Sequence, residues 1–334
     1  MLISAYFRLV RAGYVLAREG ALSIIGAHDL PLPLRFGIRL GRLIERPSVR
    51  RTGQVERLNR ALNRLGPTYV KFGQTLATRP DVVGPKVAAD LAGLQDKMDP
   101  FDPALVPGIL AEALGVKAAE LTELSEPIAA ASIAQVHQAR LVPADGMRKT
   151  VAVKILRPGV AHRFMADIES YYAGARLAEK LVRSTRRLKP SQVVETLDRS
   201  ARLELDLRME AAAISEFAGN IKDDEGFVIP TVSWDHTAQN VLTTTWVEGI
   251  PIRELAALDA AGVDRKAVAK TLLQSFLKHA IRDGFFHADM HPGNLFVDPK
   301  TGAVVAVDFG IMGRINRAER RFLADILFGF ITRD

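Results

Sequence analysis

The chain has 334 residues, with 45 Lys and Arg against 38 Asp and Glu, seven His and no Cys. The lack of cysteine excludes a disulfide scaffold, a thiolate metal site and a cysteine nucleophile, and 48% apolar with 25% charged residues is the composition of a globular protein of roughly two domains. No apolar run approaches the length of about 18 residues that a membrane-spanning helix needs, and the arginine-bearing start does not resemble a signal peptide, so we expect a cytoplasmic chain.

The N-terminal segment carries most of the positive charge. Residues 1–64 hold twelve arginines against four acidic residues, a net charge of +8, whereas the rest of the chain sums to −1. Over the first 20 residues, helical spacing gathers one polar face, made of Ser4, Arg8, Arg11, Arg18 and Glu19. A wide apolar arc edged by arginine is typical of a helix on an anionic membrane surface. A helix packed on the body of the protein, with solvated arginines, remains the alternative.

The remaining pattern alternates between helical and strand periodicity. Apolar spacing predicts helices over the ranges 52–65, 85–98, 161–188, 192–218 and 267–283. Short strands are predicted within the ranges 127–142, 150–156, 227–234, 240–247 and 303–307. No nucleic-acid-binding module is recognisable, so nucleic acid is not an expected partner.

Two motifs near the C-terminus have the spacing that phosphoryl transfer requires. Segment 287–294, His-Ala-Asp-Met-His-Pro-Gly-Asn, has its His, Asp and Asn at the offsets of the kinase catalytic loop, and Asp308-Phe309-Gly310 follows. Such chemistry needs one carboxylate beside the attacking oxygen and two oxygen ligands for Mg²⁺. We assign the first role to Asp289 and the ligand roles to Asn294 and Asp308.

A metal site on the same loop is the competing interpretation. His287, Asp289 and His291 alternate, as ligands on a strand do. However, Pro292-Gly293 ends such a strand, and no further His or Cys lies nearby in the sequence to complete the ligand set. The phosphoryl-transfer interpretation is therefore favoured.

A lysine and an alanine-rich turn lie upstream of these motifs. Lys154 ends a Val-Ala-Val-Lys strand that matches the kinase strand whose lysine holds nucleotide phosphates. Its carboxylate partner on the following helix is Glu210 or Asp206, which share one helix face, and we favour Glu210. Where kinases have a glycine-rich loop, the chain has Ala129, Ala130, Ala131 and Ser132, whose side chains restrict the approach of backbone amides to phosphate.

These motifs together resemble the UbiB family of aarF-domain-containing, atypical protein-kinase-like proteins. The resemblance covers roughly residues 50–330. It is carried by Lys71-Phe72-Gly73-Gln74, the alanine-rich stretch 129–137, Glu204-Leu205-Asp206, the loop 287–294 and Val307-Asp308-Phe309-Gly310. It implies an α+β, protein-kinase-like two-lobe fold, binding of ATP or ADP with Mg²⁺, low ATPase turnover and a supporting role in ubiquinone (coenzyme Q) biosynthesis at a membrane.

The resemblance also implies roles for single residues. Lys154, Glu210 and Asp289 correspond to the catalytic lysine, glutamate and aspartate, and Asn294 and Asp308 to the metal ligands. Ala129, Ala130, Ala131 and Ser132, with Thr245 and Val247 of the hinge strand, correspond to the nucleotide-binding elements. Lys71, Gly73 and Gln74 correspond to a regulatory element over the cleft, which the acidic motif of Glu204 and Asp206 meets. On one regular helix, however, Glu204 and Asp206 point about 200° apart.

The resulting organisation has four segments. We predict a basic amphipathic N-terminal segment (1–50), a helical extension (51–126), a kinase-like N-lobe with inserted helices (127–250) and a partial, apparently truncated C-lobe (251–334). The expected partners are an anionic membrane surface, a polyprenyl quinone-precursor lipid and ubiquinone-biosynthesis enzymes, with the chain peripheral to the inner membrane. The alternatives are a pseudokinase scaffold or lipid-binding regulator without turnover, and a genuine kinase for a protein or small molecule.

Overall fold

The computed structural model describes residues 2–24, 32–92, 94, 98–143 and 146–333. Within these residues the α-helices are α1 Leu2–Arg18, α2 Leu32–Leu43, α3 Gln54–Leu65, α4 Pro67–Ala77, α5 Pro80–Val83, α6 Pro85–Ala92, α7 Val106–Leu114, α8 Val160–Leu181, α9 Pro190–Glu204, α10 Leu207–Asn220, α11 Leu255–Ala260, α12 Arg265–Leu277 and α13 Arg317–Thr332. The strands are β1 Leu121–Thr122, β2 Ala129–Ala130, β3 Ala134–Leu141, β4 Lys149–Leu156, β5 Phe227–Val228, β6 Val241–Thr245, β7 Ile250–Pro251, β8 Phe285–His287, β9 Leu295–Val297, β10 Val304–Ala306 and β11 Met312–Arg314.

The chain forms two compact units, each assembled from separate stretches of sequence. Unit 1 comprises residues 1–101, 129–135 and 156–205. Unit 2 comprises residues 102–128, 136–155 and 206–334. The four segments expected from the sequence are contiguous, and they remain a prediction about organisation.

Unit 1 is helical, and its long helix α8 packs against α1, α4 and α9. The face of α1 that packs is formed by small residues, since Ala5 and Ala12 are buried and Leu9 lies against Gly174 of α8. Close approach of the helices also lets Arg8 Nη1 donate to the Ala166 carbonyl at 3.2 Å. The N-terminal helix therefore packs on its unit through Ala5, Ala12 and Leu9, whereas Phe7 and Val10 are exposed.

Unit 2 contains most of the β-structure. Strands β1, β3, β4 and β6 form one sheet in that order, and β4 pairs antiparallel with β6. Strands β5, β10, β9 and β7 form a second sheet, while β8 and β11 form a two-stranded ribbon. Along β4 the buried residues Val151, Val153 and Ile155 alternate with Ala152 and Lys154, as the period of a strand requires.

The long helix expected over residues 192–218 is wrong. The structure has two helices, because Asp206 adopts an extended backbone conformation and caps the second of them, its side chain accepting the Arg208 backbone N–H at 3.1 Å. Two other expected helices change type before their predicted ends. The range 161–188 becomes α8 followed by a 3₁₀ turn from Arg183 to Leu188, and the helix ending at Asp283 finishes as a π-helix over Lys278–Asp283.

Among the described residues, none of the helices combines the length and the apolar character needed to cross a bilayer.

Candidate functional site

Lys154 lies at the centre of a cluster of charged side chains in unit 2. Strand β4 buries the residues on either side of it, so the lysine leaves the opposite face of the sheet. Its ammonium contacts both carboxylate oxygens of Glu210, at 3.0 Å and 2.9 Å, and Asp308 Oδ1 at 3.0 Å. Strand β4, helix α10 and the turn after β10 thus bring together three residues that span more than 150 positions of sequence.

Glu210 is placed by the helix that follows the break at Asp206. It lies in the first turn of α10, where the helix dipole favours a negative charge, and only 8% of the residue is exposed. A buried carboxylate requires a paired cation, and Lys154 supplies it. Of the two partners considered from the sequence, the structure brings Glu210 to the lysine, while the carboxylate of Asp206 pairs with the Arg208 guanidinium at 2.7 Å.

The pKa values of the two carboxyl groups that contact Lys154 move apart. The ammonium of Lys154 lowers the pKa of Asp308 to about 2. Burial, reinforced by the neighbouring Asp308 charge, raises the pKa of Glu210 to about 7 against the opposing pull of Lys154. Because one cation serves two carboxylates, the more exposed of them keeps its charge and the buried one titrates near neutrality.

Asp308 is held in a sparsely populated backbone conformation. Its φ angle is +61°, and its Oδ1 accepts the Gly310 backbone N–H at 3.4 Å. The next residue, Phe309, is fully buried and packs against Phe217 and the His287 ring. This anchor turns the Asp308 side chain outward, where 51% of it is exposed. Such strain is characteristic of functional positions.

Asp289 and Asn294 lie on the loop between β8 and β9. The Asn294 side-chain amide donates to Asp289 Oδ2 and to the Asp289 carbonyl, both at 3.2 Å. The Asn294 carbonyl accepts the Val307 N–H at 2.9 Å, so Asn294 and Asp308 lie at the same end of the β9–β10 pair. The loop therefore presents a carboxylate and an amide beside the Asp308 carboxylate.

These oxygens suit a magnesium ion. Mg²⁺ prefers hard oxygen ligands such as carboxylates and amide carbonyls. Asp308 is ionised with an accessible carboxylate, and Asn294 uses its amide nitrogen on Asp289, which turns its amide oxygen the other way. Asn294 and Asp308 fit the ligand pair predicted from the sequence.

The two histidines of the loop are engaged with the backbone. His287 is buried, its Nδ1 accepts the Asp289 N–H at 3.2 Å, and its Nε2 lies 3.5 Å from the Val307 carbonyl. His291 Nδ1 accepts the Gly293 N–H at 3.1 Å. In these contacts both histidines shape the loop rather than converge on a shared ligand.

Thr245 and Val247 belong to the strand β6 and the residues that follow it. The Thr245 backbone N–H donates to the Thr231 carbonyl at 2.9 Å, and the Thr245 hydroxyl accepts the Thr231 N–H at 2.9 Å. Val247 lines a cleft of about 450 Å³ in unit 2 with Gly249, Asp298 and Lys300. The hydroxyl and the backbone N–H of Thr245 are thus both engaged with Thr231.

The residues predicted to regulate the site lie in unit 1, apart from Asp206. Lys71 of α4 forms an ion pair with Glu204, the last residue of α9, at 2.7 Å, and both side chains are largely buried. Gln74 Nε2 is 3.5 Å from the Leu94 carbonyl. Gly73 is buried where an added Cβ would lie 2.5 Å from Leu94 Cδ1. An alanine at residue 73 would therefore require Leu94 and Leu62 to move.

The break between α9 and α10 resolves the conflicting directions of Glu204 and Asp206. Glu204 ends one helix and pairs with Lys71, whereas Asp206 caps the next helix and pairs with Arg208. The expectation that both acidic residues belong to one regular helix is wrong, because Leu205 and Asp206 leave helical geometry.

The alanine-rich turn is organised by a residue that no motif singled out. Arg157, just after β4, donates from Nε and Nη2 to the Ala131 carbonyl at 3.0 Å and 2.9 Å. Nothing in the spacing of the sequence marks an arginine beside Pro158 for this contact, because the partners are 26 residues apart.

Comparison with known proteins places the chain in a family. The model of the ABC1 atypical kinase-like domain matches residues 93–334. The chain belongs to the UbiB family. A relative named Probable protein kinase UbiB, from Marinobacter nauticus, is 39% identical over 334 aligned residues, which cover 98% of this chain and 60% of that protein. The chain thus spans about 60% of the length of this UbiB relative.

A solved structure supports the same fold. The Mycobacterium tuberculosis protein Rv3197, determined in complex with erythromycin, is 30% identical and superposes with a TM-score of 0.52, over 72% of this chain and 60% of that one. The α+β, kinase-like fold expected from the sequence is confirmed, as is the UbiB family resemblance.

Proposed function

We propose that this UbiB-family chain binds ATP or ADP with Mg²⁺ in unit 2 and hydrolyses or transfers the terminal phosphoryl group slowly. The observation that supports this most directly is the Lys154 ammonium shared by Glu210 and Asp308. Phosphoryl transfer depends on a lysine positioned by a helix glutamate and on an aspartate that holds magnesium. The contacts of Lys154 with Glu210 and Asp308 support this proposal.

Each residue has a distinct role in the proposed site. Glu210 keeps the Lys154 ammonium in place, and that ammonium attracts the phosphate oxygens. Asp289, oriented by the Asn294 amide, is placed to accept a proton from an attacking hydroxyl or water. Asn294 and Asp308 would hold Mg²⁺, which when bound offsets the charge of the phosphates.

The biological setting is proposed from the family. Ubiquinone biosynthesis is implied by the UbiB resemblance and by the name of the Marinobacter relative. We propose that the chain supports this pathway as an accessory ATPase, with a polyprenyl quinone-precursor lipid and the biosynthetic enzymes as partners.

The surface of unit 1 supports a peripheral membrane location. Phe7 and Val10 of α1 are 74% and 70% exposed, although they are large apolar residues. The neighbouring helix α2 exposes Phe36 and Leu43 in the same manner. Both helices carry arginines among these side chains, which is the composition expected for a surface that inserts into anionic lipid.

Calorimetric titration with nucleotide, with and without Mg²⁺, tests the proposed site. We expect Asp308→Asn to abolish Mg²⁺-dependent binding, since the substitution removes the negative charge that attracts the cation. Asp325→Asn is the matched control, because Asp325 is exposed and its contact with Arg321 is long, at 3.9 Å. Unchanged affinity in a folded Asp308→Asn protein contradicts the assignment.

A second candidate is a pseudokinase scaffold that binds nucleotide or lipid without turnover. The buried Lys71–Glu204 pair and the alanine-rich turn favour it, since neither is an ordinary kinase feature. A phosphate-release assay with liposomes and a soluble phenol separates the two candidates, because the scaffold shows no turnover under any condition. Transfer of radiolabel to an added protein or small molecule would instead indicate a genuine kinase.

A further inference from the structure

A cleft in unit 1 has a surplus of cationic side chains. Its volume is about 360 Å³, a size that suits a small ligand, and Arg79, Arg187 and Lys189 line it together with one carboxylate, that of Asp81. All four residues belong to unit 1. The lining therefore carries two more positive than negative charges, and it favours an anion.

One wall of the cleft is formed by the chain that follows α4. Arg79 Nε and Nη2 donate to the two carboxylate oxygens of Asp81, at 2.8 Å and 2.7 Å. This two-pronged contact fixes the plane of the guanidinium and leaves Nη1 outside the pair. Arg79 is thus oriented by Asp81 while one of its nitrogen donors is not used by that carboxylate.

The other wall is formed by the turn between the 3₁₀ segment Arg183–Leu188 and α9. Lys189 has a left-handed backbone conformation, with φ +46° and ψ +57°, which is sparsely populated by residues other than glycine. In the described part of the chain, neither Arg187 nor Lys189 has a carboxylate within ion-pair distance. Backbone strain beside cations without acidic partners is characteristic of a binding site.

The donors of the cleft are side chains and not the first amides of α9. The Ser191 N–H already donates to Glu179 Oε1 at 2.9 Å, and the Gln192 N–H donates to the Lys189 carbonyl at 2.9 Å. An anion in the cleft would therefore meet guanidinium and ammonium groups, which form stronger hydrogen bonds than neutral donors. Because these groups come from two walls, a tetrahedral phosphate suits them better than a flat carboxylate.

The two walls belong to segments that the Lys71–Glu204 ion pair also joins. Lys71 lies in α4, which leads to Arg79, and Glu204 ends α9, which begins directly after Lys189. A ligand that contacts both walls would connect the same two segments a second time. Since such a ligand binds only the folded arrangement, it would also stabilise unit 1 against unfolding.

We propose that this cleft binds inorganic phosphate or a phosphate monoester through Arg79, Arg187 and Lys189, and that the anion links the chain after α4 to the start of α9. Free phosphate and the headgroup of phosphatidic acid share this chemistry. A phosphate monoester carries a charge of about −1.5 to −2 at neutral pH, which matches the surplus of cationic side chains. The proposal concerns unit 1 alone, so it is independent of the nucleotide site proposed in unit 2.

The test compares two double variants of the full chain. Arg187→Gln with Lys189→Gln removes two cations of the cleft, and Arg176→Gln with Arg199→Gln removes two exposed cations of unit 1 that lie outside it. Binding is measured by calorimetry with inorganic phosphate and by co-sedimentation with vesicles of equal parts phosphatidic acid and phosphatidylcholine. We expect the Kd of the cleft variant to rise about tenfold, the factor that corresponds to one charged hydrogen bond, while the control stays close to the wild type.

The arm that responds identifies the source of the phosphate. A loss with inorganic phosphate assigns the cleft to free phosphate, and a loss confined to the vesicles assigns it to a lipid headgroup. Equal affinities of the two double variants in both arms overturn the proposal, and so does a wild-type chain that binds neither probe.

Lys189→Gly separates ligand binding from folding. Glycine adopts the left-handed conformation without strain, so we expect the unfolding midpoint in the absence of phosphate not to fall. The same substitution removes a cation, so the affinity should fall in the arm that responds. A lower midpoint with unchanged affinity would show that Lys189 acts only on folding, and it would overturn the role assigned to this residue.

Discussion

The ammonium of Lys154 lies 2.9 Å from Glu210 Oε2 and 3.0 Å from Asp308 Oδ1. One cation thus neutralises one of two carboxylates, and the cluster carries a net negative charge when both are ionised. The two acids differ in accessibility, because Glu210 is buried and the Asp308 side chain is half exposed. Ionisation of Glu210 therefore costs more free energy than ionisation of Asp308, and this difference has consequences for stability.

Stability is expected to depend on pH through Glu210. Burial raises its pKa from 4.5 to about 7, so between these values the folded state binds the proton that the unfolded chain has lost. The free energy of unfolding therefore falls as pH rises through this window. We expect the free energy of unfolding of the wild type to fall by about 3 kcal/mol between pH 5 and pH 8, and we expect Glu210→Gln not to show this fall. Chemical denaturation across this pH range measures both.

The exposed glutamate Glu195 provides the control for this prediction. Glu195→Gln should keep the wild-type slope, because Glu195 is exposed and its 3.7 Å contact with Arg199 is long. Asp308 does not contribute to this slope, since its pKa of about 2 lies below the window. Identical slopes for wild type and Glu210→Gln would show that Glu210 is ionised throughout.

Gly73→Ala should destabilise unit 1. A Cβ at this position would lie 2.5 Å from Leu94 Cδ1 and 2.9 Å from Leu62 Cδ1, so both leucines must move. We expect a loss of about 1–3 kcal/mol, as in other overpacked cores. Gly108→Ala is the matched control, because Gly108 lies in α7 with open space around it and alanine favours a helix. Equal unfolding midpoints for both variants contradict the prediction.

The ion pair between Lys71 and Glu204 should be strongly coupled. Glu204 ends α9, where the helix dipole opposes a negative charge, and the Lys71 ammonium at 2.7 Å offsets that cost. Lys71→Met removes the ammonium beside a largely buried carboxylate, and we expect a loss of about 2–3 kcal/mol. In a double-mutant cycle with Glu204→Gln, the double variant should recover about 1 kcal/mol or more. Strict additivity of the two single losses would exclude the coupling.

Liposome binding should depend on the exposed apolar side chains of α1. We expect Phe7→Ser combined with Val10→Ser to lower binding to anionic vesicles about tenfold, since each removes apolar surface that would enter the bilayer. Binding should also weaken as salt concentration rises, because the arginines act through a screened potential. Val116→Ser, at an exposed site of unit 2, is the control. Deletion of α1 is a poor test, because Ala5 and Ala12 are buried.

Much of the proposed site could be predicted from local sequence. The offsets within residues 287–294 and the tripeptide at Asp308 reflect how a loop and a turn must present their oxygens, so the spacing alone indicates the chemistry. The alternation along β4 likewise indicates that Lys154 leaves the face opposite to the buried valines. The sequence favoured Glu210 over Asp206 but left both open, because both fit one helix face, and the structure brings Glu210 to the lysine.

The sequence by itself determined the family, the fold class and the identity of the charged residues, since these depend on short motifs and on local periodicity. Only the tertiary structure decided that the helix breaks at Asp206, that Glu204 meets Lys71 and that Arg157 holds the alanine-rich turn. The two contacts join residues that are distant in sequence. The helix break depends on a cap at Asp206 that competes with helix propensity. Their free energy comes from packing and desolvation in the folded chain, which no local pattern records.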